Sequence, residues 1–172
     1  MPLIVVEGVD GAGKTTLIQN FRQQAKQLCW LFARSGPPQG SVDLLMTVQY
    51  LSRGAQYEIP LIADRHPLIS EPIYGPITRG KSLIENAYSR DRALDEIASI
   101  VNRVIYCKTD LETAQKASRR ERQMAGVHEH YWSLYQAYDQ SMESLRRLGV
   151  PVLEYDWTQP NPDLNQLFLG AK

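Results

Sequence analysis

Short apolar runs alternate along this chain with longer stretches whose apolar residues recur every three or four positions. Pro2–Glu7 (PLIVVE) is a β-branched run that predicts a buried parallel strand. From Lys14 to Leu28, apolar side chains at Leu17, Ile18, Phe21, Ala25 and Leu28 keep helical spacing. Cys29–Ala33 (CWLFA) predicts a second strand, followed by the turn-rich Ser35–Gly40. Val42–Arg53 predicts a helix with Ser41 as its N-cap, and Ile59–Ala63 a third strand closed by Asp64-Arg65-His66-Pro67. Pro67–Gly80 holds three prolines and two glycines and reads as irregular. Beyond it the pattern predicts a helix over Ser82–Val101, a strand over Arg103–Cys107, helices over Leu111–Met124 and Tyr131–Leu148, a strand over Pro151–Tyr155 and a short helix over Pro162–Leu169. Strands alternating with single helical crossovers imply an α/β fold: a five-stranded parallel sheet with helices on both faces.

Two octets fit the phosphate-binding template G-x-x-x-x-G-K-[ST]: Gly8–Thr15 and Gly75–Ser82. Such a loop works by curling backbone N–H groups around phosphates at a helix N-terminus, so it needs a strand before it and a helix after it. The first octet has both. The second lies in the proline-punctuated stretch, and Pro76 lacks one of the N–H groups such a nest would use. The first is therefore expected to bind the nucleotide, through Gly8, Gly11, Ala12, Gly13, Lys14, Thr15 and Thr16. A P-loop NTPase fold follows. Lys108-Thr109-Asp110 is a partial match to a guanine-reading motif, but Cys107 stands where that motif needs asparagine.

Composition narrows the function classes. The 172 residues fit one domain, spanning 1–172, with ordinary hydrophobic (43%) and charged (22%) fractions. Nineteen basic residues balance nineteen acidic ones and the pI is about 6.8, which speaks against a broad nucleic-acid or anionic-lipid surface. No run reaches the length of a membrane span, and no positive segment precedes the first apolar run, so the expectation is a cytoplasmic protein with no membrane partner. Cys29 and Cys107 read as buried thiols in strands. His66, His128 and His130 show no metal spacing.

Glu7-Gly8-Val9-Asp10-Gly11-Ala12-Gly13-Lys14-Thr15-Thr16 resembles the P-loop of thymidylate kinases, E-G-x-D-G-A-G-K-[ST]-T. The similarity extends to Arg34 at the end of the second strand, Leu44-Leu45 in the next helix, Asp64-Arg65-His66 at the D-R-Y position, and Ser70 and Tyr74 at S-x-x-x-Y spacing. Tyr74-Gly75 through Arg79-Gly80 resembles the family's acceptor-side loop, and the basic run at Arg119, Arg120 and Arg122 stands where the family has its lid, here about residues 118–130. Three departures, Ser35, Met46 and the absence of Gln after Tyr74, all fall on the acceptor pocket.

The resemblance implies ATP-dependent phosphorylation of a (deoxy)nucleoside monophosphate to the diphosphate, with Mg²⁺ as cofactor. Lys14 would serve the donor phosphates; Thr15 and Asp64 are the metal-ligand candidates. Arg65 and the lid arginines 119, 120 and 122 complete the catalytic set, and Asp10, Arg34, Tyr50, Arg65, Ser70 and Tyr74 the acceptor set. For several of these a plainer role stands beside the functional one. Asp10 either binds the sugar 3′-OH, as the resemblance implies, or makes an Asx loop bond. Tyr74 either packs on the acceptor sugar or anchors its segment. The lid arginines either meet the substrate or form a solvated helix face. Two rival functions remain: a deoxynucleoside kinase on the same fold, and a non-catalytic ATP-binding module. A nucleoside kinase needs a carboxylate base for its hydroxyl acceptor, and in that family the base lies just after the second strand, where this chain has Arg34-Ser35. Dimerisation is common in the resembled family.

Overall fold

The computed structural model describes residues 3–24, 29–33, 38–120, 123–160 and 162–169. The elements run β1 (Leu3–Glu7), α1 (Lys14–Gln24), β2 (Trp30–Ala33), α2 (Ser41–Gly54), β3 (Leu61–Asp64), α3 (Pro67–Arg79), α4 (Arg90–Ile100), β4 (Val101–Cys107), α5 (Leu111–Ser118), α6 (Tyr131–Arg147), β5 (Val152–Tyr155) and α7 (Leu164–Leu169). The strands form one sheet in the order β2-β3-β1-β4-β5, with every neighbouring pair parallel. This is the α/β arrangement that the alternating pattern predicts.

β1 is buried along its whole length, because β3 and β4 flank it and helices cover both faces. α1 packs on α7, where Phe21 stacks on Phe168 at 4.0 Å between ring centres. α3, α4 and α6 pack on one another as the second helical group. β2 lies at the sheet edge and is the least buried strand, with Trp30 exposed. No helix among the described residues is long and apolar enough to cross a membrane.

The largest departure from the sequence pattern is α3. Three prolines predict irregular backbone, yet Pro67–Arg79 is helical. Pro67 occupies the first turn, where no intrahelical N–H is needed. His66 caps the start through Nδ1, which accepts from Leu68 N–H at 3.2 Å, and Gly80 ends the helix in the left-handed region. Leu68, Ile69 and Ile73 bury one side, which offsets the bonds lost at Pro72 and Pro76. The second octet therefore straddles the last turn of a helix and its C-cap, a geometry opposite to that of a phosphate loop.

Smaller corrections follow from caps. α4 starts at Arg90, not Ser82, because Ser89 Oγ accepts from Arg92 N–H at 3.3 Å; residues 83–87 form turns. α5 stops at Ser118, short of Met124. Ser41 is the first helical residue of α2, and Gly40 precedes it as the cap without a side-chain bond. Cys107 is buried in β4 as expected, and burial pushes its thiol up to about 12, whereas Cys29 is half-buried just before β2.

Candidate active site

The carboxyl ends of β1, β3 and β2 and the N-terminus of α1 converge on one cavity of about 1200 Å³. That is more than a single small ligand fills. It lies where an open α/β sheet binds ligands, outside the carboxyl ends of its strands. Its lining includes Asp10, Gly11, Gly13, Lys14, Thr15 and Thr16 from the first octet; Gly8 and Ala12 form the back of that loop and do not line it. At Gly13, φ is 86° and a Cβ would stand 2.6 Å from Trp157 Cδ1. Only glycine lets the loop turn there beneath the indole.

Lys14 opens α1 and is buried, and its Nζ donates to the carbonyl oxygens of Gly8 at 2.9 Å and Val9 at 2.7 Å. Burial, then the Arg65 charge, lower its pKa, while Asp10 and Asp64 work in the opposite direction. Asp64 ends β3 and lines the same cavity as Thr15, so a carboxylate and a hydroxyl oxygen flank the lysine. Those are the oxygen donors that a hard divalent cation takes beside phosphate.

Arg65 is the centre of the second half. It is a non-glycine residue at φ 71°, held there by its N–H donating to Val6 O at 3.0 Å. Its Nη2 donates to Asp10 Oδ1 at 2.5 Å and to the Tyr74 hydroxyl at 3.2 Å; its Nη1 donates to the Tyr138 hydroxyl at 2.6 Å. Tyr74 OH donates in turn to Asp10 Oδ2 at 3.0 Å, and Tyr138 OH to Glu7 Oε2 at 3.0 Å. Burial would raise the Asp10 pKa, but the charges of Arg65 and Lys14 and the Tyr74 hydrogen bond hold it below the usual value. Glu7 is fully buried, and that burial keeps its pKa raised despite Arg65 and the His66 N–H at 2.7 Å. His66 is likewise fully buried, which drives its imidazole down to about 3 and keeps it neutral.

The structure brings Asp10, Lys14, Thr15, Thr16, Asp64, Arg65, Ser70, Tyr74 and Arg120 to this one cavity. It does not bring Tyr50 there: that side chain is exposed on α2, its ring 5.3 Å from Phe32. Arg119 lies in the turn after α5 and does not line the cavity. Arg34 and Arg122 lie outside the described residues.

Six contributors were not singled out as site residues by the sequence pattern. Glu7 anchors Arg65 through Tyr138, and its signal was a charged residue ending an apolar strand. Tyr131 donates to the Asp10 carbonyl at 2.5 Å and, with Tyr138, lies on one face of α6 at a seven-residue interval; that spacing reads as core. Trp157 follows β5, and Glu71 and Arg79 sit on the helix that the prolines disguised.

No protein-family model and no curated protein matches the chain. Solved structures do. The YorR protein of Bacillus subtilis, in complex with phosphorylated GDP, is 18% identical with a TM-score of 0.65, covering 97% of this chain and 91% of its own. Deoxyadenosine kinase from M. mycoides with bound dATP is 14% identical with a TM-score of 0.61, covering 97% of both chains. The same enzyme with the products dCMP and a flexible dCDP aligns at 14% identity and a TM-score of 0.59, over 97% of this chain and 96% of that one. The chain thus shares its five-stranded parallel α/β fold with these structures over 97% of its length.

Proposed function

We propose that this chain transfers the γ-phosphoryl group of ATP to the phosphate of a (deoxy)nucleoside monophosphate, as thymidylate kinases do. The observation that carries the reading is the state of the carboxylates lining the cavity. They are Asp10, Asp64 and Glu71; Asp10 is ion-paired to Arg65 and Glu71, through one of its oxygens, to Arg79, each at 2.5 Å, and Asp64 is the metal-ligand candidate. A hydroxyl acceptor needs a free carboxylate to take its proton, whereas a phosphate acceptor is already ionised and needs cations. Arg65, Arg79 and Arg120 supply cations along the same cavity.

In this reading Lys14 turns from its loop carbonyls to the β- and γ-phosphates. Arg65 meets the acceptor phosphate, with Asp10 then free to take the sugar 3′-OH and Tyr74 packed where a 2′-hydroxyl would fall. An acceptor phosphate oxygen attacks the γ-phosphorus as the β,γ-bridging bond breaks, giving a nucleoside diphosphate and ADP. Arg120 lines the cavity from the turn after α5 and can neutralise charge that spreads over the transferred group. Thr15 and Asp64 would hold Mg²⁺, which neutralises charge on the donor phosphates. The reading carries with it a single catalytic domain, a cytoplasmic location and the homodimer common in the resembled family.

A second reading, a deoxynucleoside kinase, is favoured by the likeness to deoxyadenosine kinase over nearly the whole chain. One experiment separates the two: ATP and Mg²⁺ with each nucleoside monophosphate and each nucleoside, read as ADP release. Phosphorylation of at least one monophosphate, with nucleosides untouched, is expected. Turnover of nucleosides with every monophosphate refused would replace the first reading by the second. Arg65→Lys keeps the charge but loses the fork. It should raise the acceptor KM by about tenfold or more, in line with a lost charge-assisted bond, and leave ATP affinity near normal.

A further inference from the structure

Glu71 is only 4% exposed, yet it lines the cavity. Its Oε1 accepts from Arg79 Nη2 at 2.5 Å and from the Leu83 N–H at 2.7 Å. Its Oε2 accepts from none of the described residues. Glu71 and Arg79 are two turns apart on α3, and Gly75 lies between them: a Cβ there would stand 2.7 Å from Glu71 Oε1 and 2.7 Å from Ser82 Cα. The glycine that opens the second octet is thus the residue over which this ion pair closes. The pair presents one free carboxylate oxygen beside a guanidinium whose Nε and Nη1 have no bond among the described residues.

The position of the pair follows from α3. Arg65 precedes the first residue of that helix by two positions, and Glu71, on which the Arg79 guanidinium closes, lies about 6 Å along it at 1.5 Å per residue. Phe32, Leu44 and Thr47 line the cavity as well and supply largely apolar wall. Glu71 and Arg79 line the same cavity as Arg65, Asp10 and Tyr74, so an acceptor with its phosphate at Arg65 and its sugar at Asp10 and Tyr74 would have this pair within the same enclosure as its base.

We propose that the Glu71–Arg79 pair reads the base of the acceptor and selects one carrying an exocyclic amine. The inference rests on the acceptor site proposed above. An ionised carboxylate only accepts hydrogen bonds and a guanidinium only donates them. Side by side they complement a base edge on which a donor adjoins an acceptor. Cytosine and adenine offer an amine to Glu71 and a ring nitrogen to Arg79. Guanine offers N1–H to the free oxygen of Glu71 and O6 to Arg79, with its amine, a second donor, beside the carboxylate. Thymine and uracil offer a single N–H with a carbonyl oxygen on each side. Arg79 can satisfy one of these oxygens; the other is left facing the Glu71 carboxylate.

The test uses the full chain with dCMP, dAMP, dGMP, dTMP and dUMP, and with the five corresponding nucleosides, measuring kcat/KM and calorimetric affinity. At least one amine-bearing monophosphate should exceed both dTMP and dUMP by tenfold or more. Glu71→Gln, whose amide can donate to a carbonyl oxygen, should narrow that ratio by tenfold while the KM for ATP stays constant. Arg79→Lys, which loses the fork, should narrow it as well. Equal or better use of dTMP by the wild type overturns the proposal, and that ranking needs no variant to fold. An unchanged ratio in a folded Glu71→Gln protein also overturns it and leaves Glu71 as a brace for Leu83. If nucleosides alone are accepted, the phosphate-acceptor reading fails, and the order of bases among them still tests Glu71. Acceptance of neither class overturns both.

Discussion

Tyr138→Phe removes a single hydroxyl from the centre of the buried network. That hydroxyl accepts from Arg65 at 2.6 Å and donates to Glu7 at 3.0 Å, so two bonds to charged groups are lost at once. Glu7 Oε2 is then left with Arg65 Nη1 at 4.0 Å as its nearest ionic partner, in a fully buried position. Bonds to charged groups contribute about 1.5–3 kcal/mol each, so a loss of about 2–4 kcal/mol is expected once partial rearrangement is allowed. For a chain of this length that is a fall in Tm of about 5–15 °C. The deficit should also depend on pH. Burial raises the Glu7 pKa above its ordinary 4.5, and the Tyr138 hydroxyl is one of the groups that oppose the rise. Below 4.5 Glu7 is protonated in both folded and unfolded chains; above it the unfolded chain ionises first, and stability falls as pH climbs towards the raised native value. Without the hydroxyl the native value moves higher and the window widens upward, so the variant should lose more stability at pH 8 than at pH 5. Arg65 keeps Asp10 but loses its second anchor, so the acceptor KM should rise while the ATP KM does not. Thermal melts at the two pH values and initial-rate kinetics test this. A Tm deficit that is absent, or larger at pH 5, would refute the account of Glu7.

Lys14→Ala should abolish phosphoryl transfer and weaken ATP binding, whereas Lys81→Ala, in an exposed position after α3, should leave ATP affinity unchanged by calorimetry. The reverse pattern would make the second octet the nucleotide loop. Gly75→Ala should destabilise the protein by about 1–3 kcal/mol, because the new methyl group meets the backbone at Ser82 as well as Glu71. A melt that matches wild type would show that the last turn of α3 shifts freely.

The strands were legible in the sequence because each is a compact apolar run, and their alternation with helices implies the parallel sheet. The first octet was legible for a related reason: Gly8–Thr15 is a local motif whose strand and helix can be read from its neighbours. Asp10, Arg65, Ser70 and Tyr74 were legible through the resemblance, but the network that holds Arg65 was not, because it is assembled over long separations. Arg65 is held by Tyr138, 73 residues away, and Tyr131 reaches Asp10 across 121. No local spacing announces such partners, and two tyrosines on one helical face read as core. α3 was hidden for a different reason. Its prolines signal irregular backbone, and the features that overrule them are the cap at His66 and the burial of Leu68, Ile69 and Ile73. Tyr50 shows the converse error, a residue assigned to the acceptor that the structure leaves on the surface of α2.

The strand order has a consequence for the time course of synthesis. β1 is the central strand, but its partners β3 and β4 are Leu61–Asp64 and Val101–Cys107. About a hundred residues separate the end of β1 from the end of β4, so at about 5–20 residues per second the run LIVVE waits roughly 5–20 s for its second neighbour. Pairings of such long sequence separation also form slowly in an isolated chain. The nascent protein therefore carries a largely apolar strand with at least one edge unpaired through about a hundred residues of synthesis, and it is in that interval that a chaperone has most to shield.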